Sequence, residues 1–85
     1  MKYSPLFLEY CQQLPISLTS LRKAVLCCLW QSNKPLKAYE IVELLMVIKP
    51  NITPPTVYRV LDFFTQHGIL HKIDPIQSYT LCSAP

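Results

Sequence analysis

The chain has 85 residues and a formal net charge of +3, a length that corresponds to a single domain with a small core. Apolar residues make up 51% of it, yet no apolar run reaches the roughly 20 residues that a membrane-spanning helix needs. The N-terminus lacks the basic, apolar and small-residue order of a secretory signal, so we expect a cytoplasmic protein without a membrane partner. The low charge excludes a polybasic binder and mildly favours an anionic partner.

The first half of the chain predicts two packed amphipathic helices. The first covers residues 5–14 after a capping Ser4, with its apolar side chains spaced by three and four: Leu6, Phe7, Tyr10, Cys11 and Leu14. The second starts at a capping Thr19 and has two apolar faces. We expect its main face to form the core and the first helix to cover Leu26 and Trp30 on the other side.

A third helix is predicted from about Ala38 to Ile48, with Ile41, Leu44, Leu45 and Ile48 aligned towards the core. Lys37 occupies its capping position, although lysine caps poorly and its charge opposes the positive end of the helix dipole. A bound phosphate would relieve that conflict. We therefore predict that Lys37 holds a DNA phosphate, against the alternative that it extends into water.

The most clearly bounded element is a fourth helix over residues 53–67. Thr53 is expected to cap it with its hydroxyl, and Gly68 is expected to end it in a left-handed conformation. Helical periodicity turns four apolar side chains inward, namely Val57, Val60, Leu61 and Phe64. The outer face carries Pro55, Arg59, Asp62 and Gln66, with Tyr58 beside them. The Arg59 guanidinium is suited to base edges in a major groove, but an ordinary solvated helix face has the same composition.

A short connector joins the third and fourth helices in helix-turn-helix fashion. After Gly68, residues 69–73 and 78–82 predict a β-hairpin. The predicted fold is therefore mainly α with a small β-hairpin: a winged helix-turn-helix of about four helices and a two-stranded wing. In such a hairpin, His71 and Cys82 lie on one face and could share an ion, although zinc prefers four ligands. Both residues are otherwise ordinary structural side chains, as we expect most of the cysteines to be.

Several segments together resemble the ferric uptake regulator family, in the family's order and spacing. They are Leu18-Thr19-Ser20-Leu21-Arg22, Ala38-Tyr39-Glu40, Pro54-Pro55-Thr56-Val57-Tyr58-Arg59-Val60-Leu61-Asp62-Phe63 and Ser78-Tyr79-Thr80-Leu81-Cys82. The double proline, the Ala-Tyr-Glu step and the hairpin are most similar to the zinc-responsive branch, the zinc uptake regulators. The resemblance implies the DNA-binding domain of a bacterial repressor that binds an AT-rich palindrome as a metal-loaded dimer.

The resemblance also assigns individual residues. It implies base contacts for Arg59 and Tyr39, a position along the groove for Tyr58, and a backbone approach for Arg22. Thr56 and Lys37 are further candidates for backbone contacts. Without the resemblance, Tyr39 would be interpreted as a half-buried packing residue.

His71 and Cys82 match regulatory zinc ligands of the zinc-responsive branch, so the resemblance implies half of a zinc site. The family's C-terminal dimerisation domain has no counterpart in these 85 residues. We therefore expect a winged-helix domain over residues 1–82, the start of a linker at residues 83–85, and little tight zinc binding by the chain itself.

DNA binding is the leading functional hypothesis. The alternative is a winged helix that acts as a protein interaction module, supported by the low charge and by Phe63 at the edge of the outer face. An enzyme is not predicted, because the sequence shows no phosphate-binding glycine loop, paired carboxylates or nucleophile with a nearby base.

Overall fold

The computed structural model of the chain describes residues 3–32, 34–73 and 77–81. The elements follow the order α1 (Pro5–Gln12), α2 (Ser20–Gln31), β1 (Leu36–Lys37), α3 (Ala38–Ile48), α4 (Pro54–Gln66), β2 (Leu70–Ile73) and β3 (Ser78–Leu81). The helices pack around a common apolar core, and β2 and β3 form the wing. The predicted winged helix-turn-helix is confirmed, with one strand more than the sequence indicated.

The additional strand, β1, makes the sheet three-stranded in the order β1-β3-β2. Leu36 pairs with Tyr79 and Lys37 pairs with Ser78, both in antiparallel register. Two residues are too few to show the alternation that marks a strand, so the sequence identified this stretch only as a connector. The pairing ties the start of α3 to the wing.

Two of the predicted helix caps are confirmed. The Ser4 hydroxyl accepts a hydrogen bond from the Phe7 amide at 3.2 Å, and the Thr19 hydroxyl accepts one from the Arg22 amide at 3.2 Å. Each such cap satisfies one amide at a helix start and contributes about 1 kcal/mol. These two interactions determine where α1 and α2 begin.

The cap predicted for α4 is wrong. The Thr53 side chain makes no hydrogen bond to a helix amide; its hydroxyl instead bonds the Thr56 hydroxyl at 2.9 Å. Pro54 and Pro55 have no amide hydrogen, and the Thr56 amide already donates to the Thr53 carbonyl at 3.1 Å. The helix start therefore leaves no amide for a side chain to cap.

The position of α1 confirms part of the expected packing. Phe7 is fully buried, and its ring lies 5.6 Å from that of Trp30, while the ring of Tyr10 lies 5.2 Å from Trp30. However, Trp30 remains 36% exposed, so the expectation that α1 covers it is wrong for the outer part of the indole. Leu6 is 70% exposed because α1 is in contact with the fold on one side only, and Leu26 is buried as predicted.

The core-facing side of α3 differs from the prediction. Ile41, Val42 and Leu45 are buried, whereas Leu44 and Ile48 are 45% and 39% exposed. Apolar residues occupy more than half of the circumference of this helix, and α2 and α4 cover only part of it. Periodicity alone could not show which part of so wide an apolar surface would be covered.

The cysteines of the described residues are packing groups, as expected. Cys11, Cys27 and Cys28 are free and buried. Burial raises the pKa of the Cys28 thiol from its ordinary 9.0 to about 11, and the neighbouring Cys27 adds to the shift. Burial also raises the pKa values of Cys11 and Cys27. Thiols in this state are protonated and unreactive at neutral pH.

The wing is a regular antiparallel pairing of β2 with β3. Leu70 pairs with Leu81, His71 with Thr80, Lys72 with Tyr79 and Ile73 with Ser78. Of the predicted hairpin loop, residues 74–76 lie outside the described residues, and Gln77 has a positive φ of 51°. No helix in the described part of the chain is long and apolar enough to cross a bilayer.

Candidate nucleic-acid interface

The rotation of α4 about its axis is fixed by its buried face. Val57, Leu61 and Phe64 are completely buried and Val60 is 9% exposed, as the sequence predicted. The left-handed terminus at Gly68, with φ of 74°, is also confirmed. Consequently the opposite face of α4, including Arg59, is exposed to solvent.

A cleft of about 710 Å³ lies between the start of α3, the middle of α4 and the wing. Its lining is polar and aromatic, and consists of Lys37, Ala38, Tyr39, Tyr58, Asp62, Lys72, Gln77 and Tyr79. Three of the predicted DNA-contacting residues therefore meet in one place, although they come from two different helices and the residue before α3. The sequence placed them on a common surface only through the family resemblance.

The two predicted tyrosines are accessible in this cleft. Tyr39 is 55% exposed and Tyr58 is 44% exposed, so both side chains are partly accessible to a ligand. The Lys37 ammonium lies 6.0 Å from the centroid of the Tyr39 ring, at the outer limit of a cation–π contact. An exposure of 55% also fits a half-buried packing residue, so the role of Tyr39 at a base edge stays a prediction.

The N-terminus of α3 has an anion of its own. The Glu40 carboxylate accepts a hydrogen bond from the Lys37 amide at 2.9 Å, while the Lys37 side chain makes no capping hydrogen bond. An ammonium group has no acceptor, so only the glutamate half of a capping box can form here. Glu40 already complements the helix dipole. The capping conflict is therefore not an independent argument for a phosphate at Lys37, which remains exposed at the edge of the cleft.

Arg22 is positioned by two contacts on the α2 side of α4. Its Nη1 donates to the Ser17 carbonyl at 2.9 Å, and the centre of its guanidinium lies 3.9 Å from the centroid of the Phe63 ring. The centroid of the His67 ring lies 4.3 Å from the centroid of the same Phe63 ring. Phe63 is therefore partly covered by two side chains, which weakens the argument that it offers an open patch for a protein partner.

Thr56, another predicted backbone contact, lies at the start of α4. Its hydroxyl shares a hydrogen bond with the hydroxyl of Thr53 at 2.9 Å, and either oxygen can be the donor. A hydroxyl pair has two hydrogens and uses one of them in the shared bond. One hydrogen is therefore available to an acceptor outside the protein.

The predicted metal half-site is described only at His71. This residue lies on β2, is exposed and pairs with Thr80 in the ladder, whereas Cys82 lies outside the described residues. Within residues 3–32, 34–73 and 77–81, no group of three or more His, Cys, Asp or Glu side chains could hold a metal ion. Because zinc prefers four ligands, these described residues do not form a complete site.

Sequence reasoning did not assign five of the cleft residues to the site: Ala38, Asp62, Lys72, Gln77 and Tyr79. Lys72 follows His71 on β2, and Gln77 immediately precedes β3, so neither belongs to the helix-turn-helix. The only available signal was the alternation of the hairpin, which shows that side chains point to opposite sides without showing which side faces α4. The cleft lining supplies that information, because Lys72 and its ladder partner Tyr79 both line the cleft with residues of α4.

The model of the ferric uptake regulator family matches residues 14–81. The chain belongs to this family. Among its relatives, the zinc uptake regulation proteins of Escherichia coli (strain K12) and Shigella flexneri are each 39% identical over 74 residues. The matched part is 87% of this chain and 43% of the relative in both cases, so the chain spans less than half the length of these proteins.

Solved structures agree with membership of the ferric uptake regulator family. A zinc uptake regulator complexed with zinc and DNA has a TM-score of 0.80 and 35% identity, covering 93% of this chain and 55% of that chain. A zinc-bound manganese uptake regulator has a TM-score of 0.79 at 20% identity, covering 93% of this chain and 62% of that one, and shows the fold alone. Proteins of this family are transcriptional regulators, which confirms the prediction that the chain is not an enzyme.

Proposed function

We propose that this chain is the DNA-binding domain of a zinc-responsive transcriptional repressor, and that α4 enters the major groove of an AT-rich palindromic operator. The observation that carries the proposal is the fixed outward face of α4, with exposed Arg59 beside a cleft that contains Tyr39 and Tyr58. The structural similarity to a zinc uptake regulator complexed with zinc and DNA supports it.

The proposed contacts divide into two classes. Arg59 and Tyr39 contact base edges, since a guanidinium donates two hydrogen bonds to guanine and a phenol hydroxyl both donates and accepts. Arg22, Lys37, Thr56 and Tyr58 contact the sugar-phosphate backbone, where cations and hydroxyl donors set the position of the protein. These contacts to the DNA backbone explain how a chain of net charge +3 can bind DNA without a polybasic segment.

Few contacts per domain imply weak binding by one copy. About four phosphates neutralised per domain correspond to a slope near −4 in a plot of log affinity against log salt concentration. Two domains held together in a dimer would bind DNA more tightly than one, at half-sites about one helical turn apart. We propose that residues 1–82 form this domain, that residues 83–85 begin a linker, and that a homodimer forms through a C-terminal domain beyond these 85 residues in a bacterial cytoplasm.

The zinc response belongs to the same proposal. His71 and Cys82 would contribute two of the four ligands, with the others supplied from the dimerisation domain. The 85-residue chain should then bind zinc only weakly, and His71→Ala should leave its DNA affinity unchanged. Tight zinc binding by this chain alone, measured by competition with a chelating dye, would contradict the half-site.

Affinity for duplex DNA tests the proposed function most directly. A duplex is first selected from a randomised pool with the chain itself, and its dissociation constant is measured by fluorescence anisotropy across a salt series. We expect affinity to fall steeply with salt and Arg59→Ala to weaken binding to the selected duplex by about 1–3 kcal/mol, the value of one bidentate base contact.

Gln66→Ala is the matched control, because Gln66 is exposed on the same helix about two turns beyond Arg59. It should leave affinity nearly unchanged. Binding that does not respond to salt, or an Arg59→Ala variant that binds as well as the Gln66→Ala variant, would exclude the proposed function.

A further inference from the structure

The charges around the cleft are not all favourable to DNA. Lys37 precedes α3 and Lys72 lies on β2, so cations occupy two of the three walls. The third wall, α4, contributes Asp62, the single acidic residue of that helix. A carboxylate in the middle of a surface proposed to bind a polyanion has an electrostatic cost, and that cost requires an explanation.

The fold prevents Asp62 from turning away. It follows Tyr58 by four residues and Arg59 by three, so it lies on the same outward side of α4 as both. The completely buried neighbour Leu61 locks the rotation of the helix. Any duplex that contacts Arg59 on α4 therefore also lies close to Asp62.

No contact within the described residues neutralises Asp62. The side chain is exposed, and it forms no ion pair with either lysine of the cleft or with any other described cation. A structural carboxylate would be expected to accept a hydrogen bond from its own protein. Asp62 accepts none from the described part of the chain, so its acceptor atoms are available to a ligand.

The two kinds of DNA group that could meet Asp62 have opposite effects. A phosphate is repelled by the carboxylate, and the repulsion is stronger where the protein surface excludes water. By contrast, the exocyclic amino group of cytosine or adenine in the major groove donates a hydrogen bond that a carboxylate accepts. Asp62 therefore disfavours docking on DNA in general, and disfavours least a position that places a base amino group opposite it.

We propose that Asp62 is a specificity-determining residue that acts mainly by repulsion: it lowers affinity for all duplexes and lowers it least for the operator. This inference rests on the proposed DNA-binding function and deepens it. Discrimination by a built-in penalty against wrong partners is an established physical route to specificity, because specificity is a difference between two affinities. It also suits a domain with few attractive base contacts.

The test compares Asp62→Asn with the wild-type chain on two probes: the duplex selected from a randomised pool by the wild-type chain, and a scrambled duplex of equal length and composition. Asparagine keeps the size of the side chain and removes its charge. We expect Asp62→Asn to bind the scrambled duplex about fivefold more tightly and the selected duplex more tightly by a smaller factor, so that the ratio of the two affinities falls. Glu9→Gln, the same change at an exposed site on α1, should leave both affinities unchanged.

Thermal unfolding of Asp62→Asn provides the check on structure and should match that of the wild-type chain, because Asp62 is exposed. A ratio equal to that of wild type, or equal weakening on both probes, overturns the role of Asp62 while the proposed function stands. Absence of salt-sensitive duplex binding by the wild-type chain overturns the proposed function and this inference together.

Discussion

The guanidinium of Arg22 lies 3.9 Å from the centroid of the Phe63 ring and joins α2 to the C-terminal half of α4. Its Nη1 also donates to the Ser17 carbonyl at 2.9 Å, so the side chain is held at two points. A planar guanidinium can stack on a ring and still donate hydrogen bonds in its plane. Arg22 thus supports α4 through Phe63 and keeps donors for a phosphate.

This contact predicts a measurable coupling between the two residues. Arg22→Ala and Phe63→Leu should each lower the free energy of unfolding, and the double variant should lose less than the sum by about 0.5–1 kcal/mol, the value of a cation–π pair. Denaturant titration of the four proteins measures the difference. Strictly additive losses would show that the stack contributes nothing to stability.

Lys37 provides a prediction about the DNA backbone. If its ammonium contacts a phosphate, Lys37→Ala should weaken binding to selected and scrambled duplexes by the same factor and reduce the salt slope by about 1. Lys34→Ala is the control, since Lys34 is also exposed but lies outside the cleft. Equal effects of the two substitutions would indicate a general charge effect and no phosphate contact at Lys37.

The sequence predicted the helices because their signals are local. Ser4, Thr19 and Gly68 mark element ends through their own backbone or side-chain chemistry, and the inward face of α4 follows from spacing alone. The structure confirms each of these. These local preferences are kept in the folded chain because no tertiary contact at those positions favours a different local conformation.

The wrong predictions concern choices that depend on neighbours distant in sequence. β1 exists only because Leu36 meets Tyr79, and the exposure of Leu44 is decided by how far α2 and α4 extend over α3. The prediction of a Thr53 cap is wrong for another reason. Pro54 and Pro55, which helped to identify the start of the helix, have no amide hydrogen that the Thr53 hydroxyl could accept. Likewise, only tertiary structure could bring Lys72 to the cleft.

The packing of α1 predicts a sharp contrast between adjacent residues. Phe7→Ala should lower the free energy of unfolding by about 3–5 kcal/mol, because Phe7 is fully buried and its removal leaves a cavity against the Trp30 ring. Leu6→Ala changes a side chain that is 70% exposed and should cost less than about 1 kcal/mol. Tryptophan fluorescence during unfolding follows both, since Trp30 is the single tryptophan. Similar losses for the two variants would place α1 away from α2 in solution.

The two threonines that precede helices should respond differently to truncation. Thr19→Ala removes a hydroxyl that accepts from the Arg22 amide and should cost about 1 kcal/mol of stability. Thr53→Ala removes a hydroxyl that bonds only another exposed hydroxyl, that of Thr56, and should cost less than half as much. Denaturant midpoints measure both. A larger loss at Thr53 would mean that its side chain caps α4 in solution.

The buried Cys28 thiol predicts how stability depends on pH above neutrality. Its pKa is about 11 in the folded chain against an ordinary 9.0, so the folded state holds the proton more tightly than the unfolded state does. The stabilisation is fully present below pH 9.0 and is lost as the pH rises towards 11, where the unfolded state gains from ionisation first. Tyrosines and lysines titrate in the same range, so the measurement is the difference between the wild-type chain and Cys28→Ala in denaturant titrations at each pH. We expect the wild-type chain to lose roughly 2 kcal/mol more than Cys28→Ala across this interval. If stability falls with pH by the same amount in the two proteins, Cys28 ionises equally well in the folded and unfolded states, and the prediction is wrong.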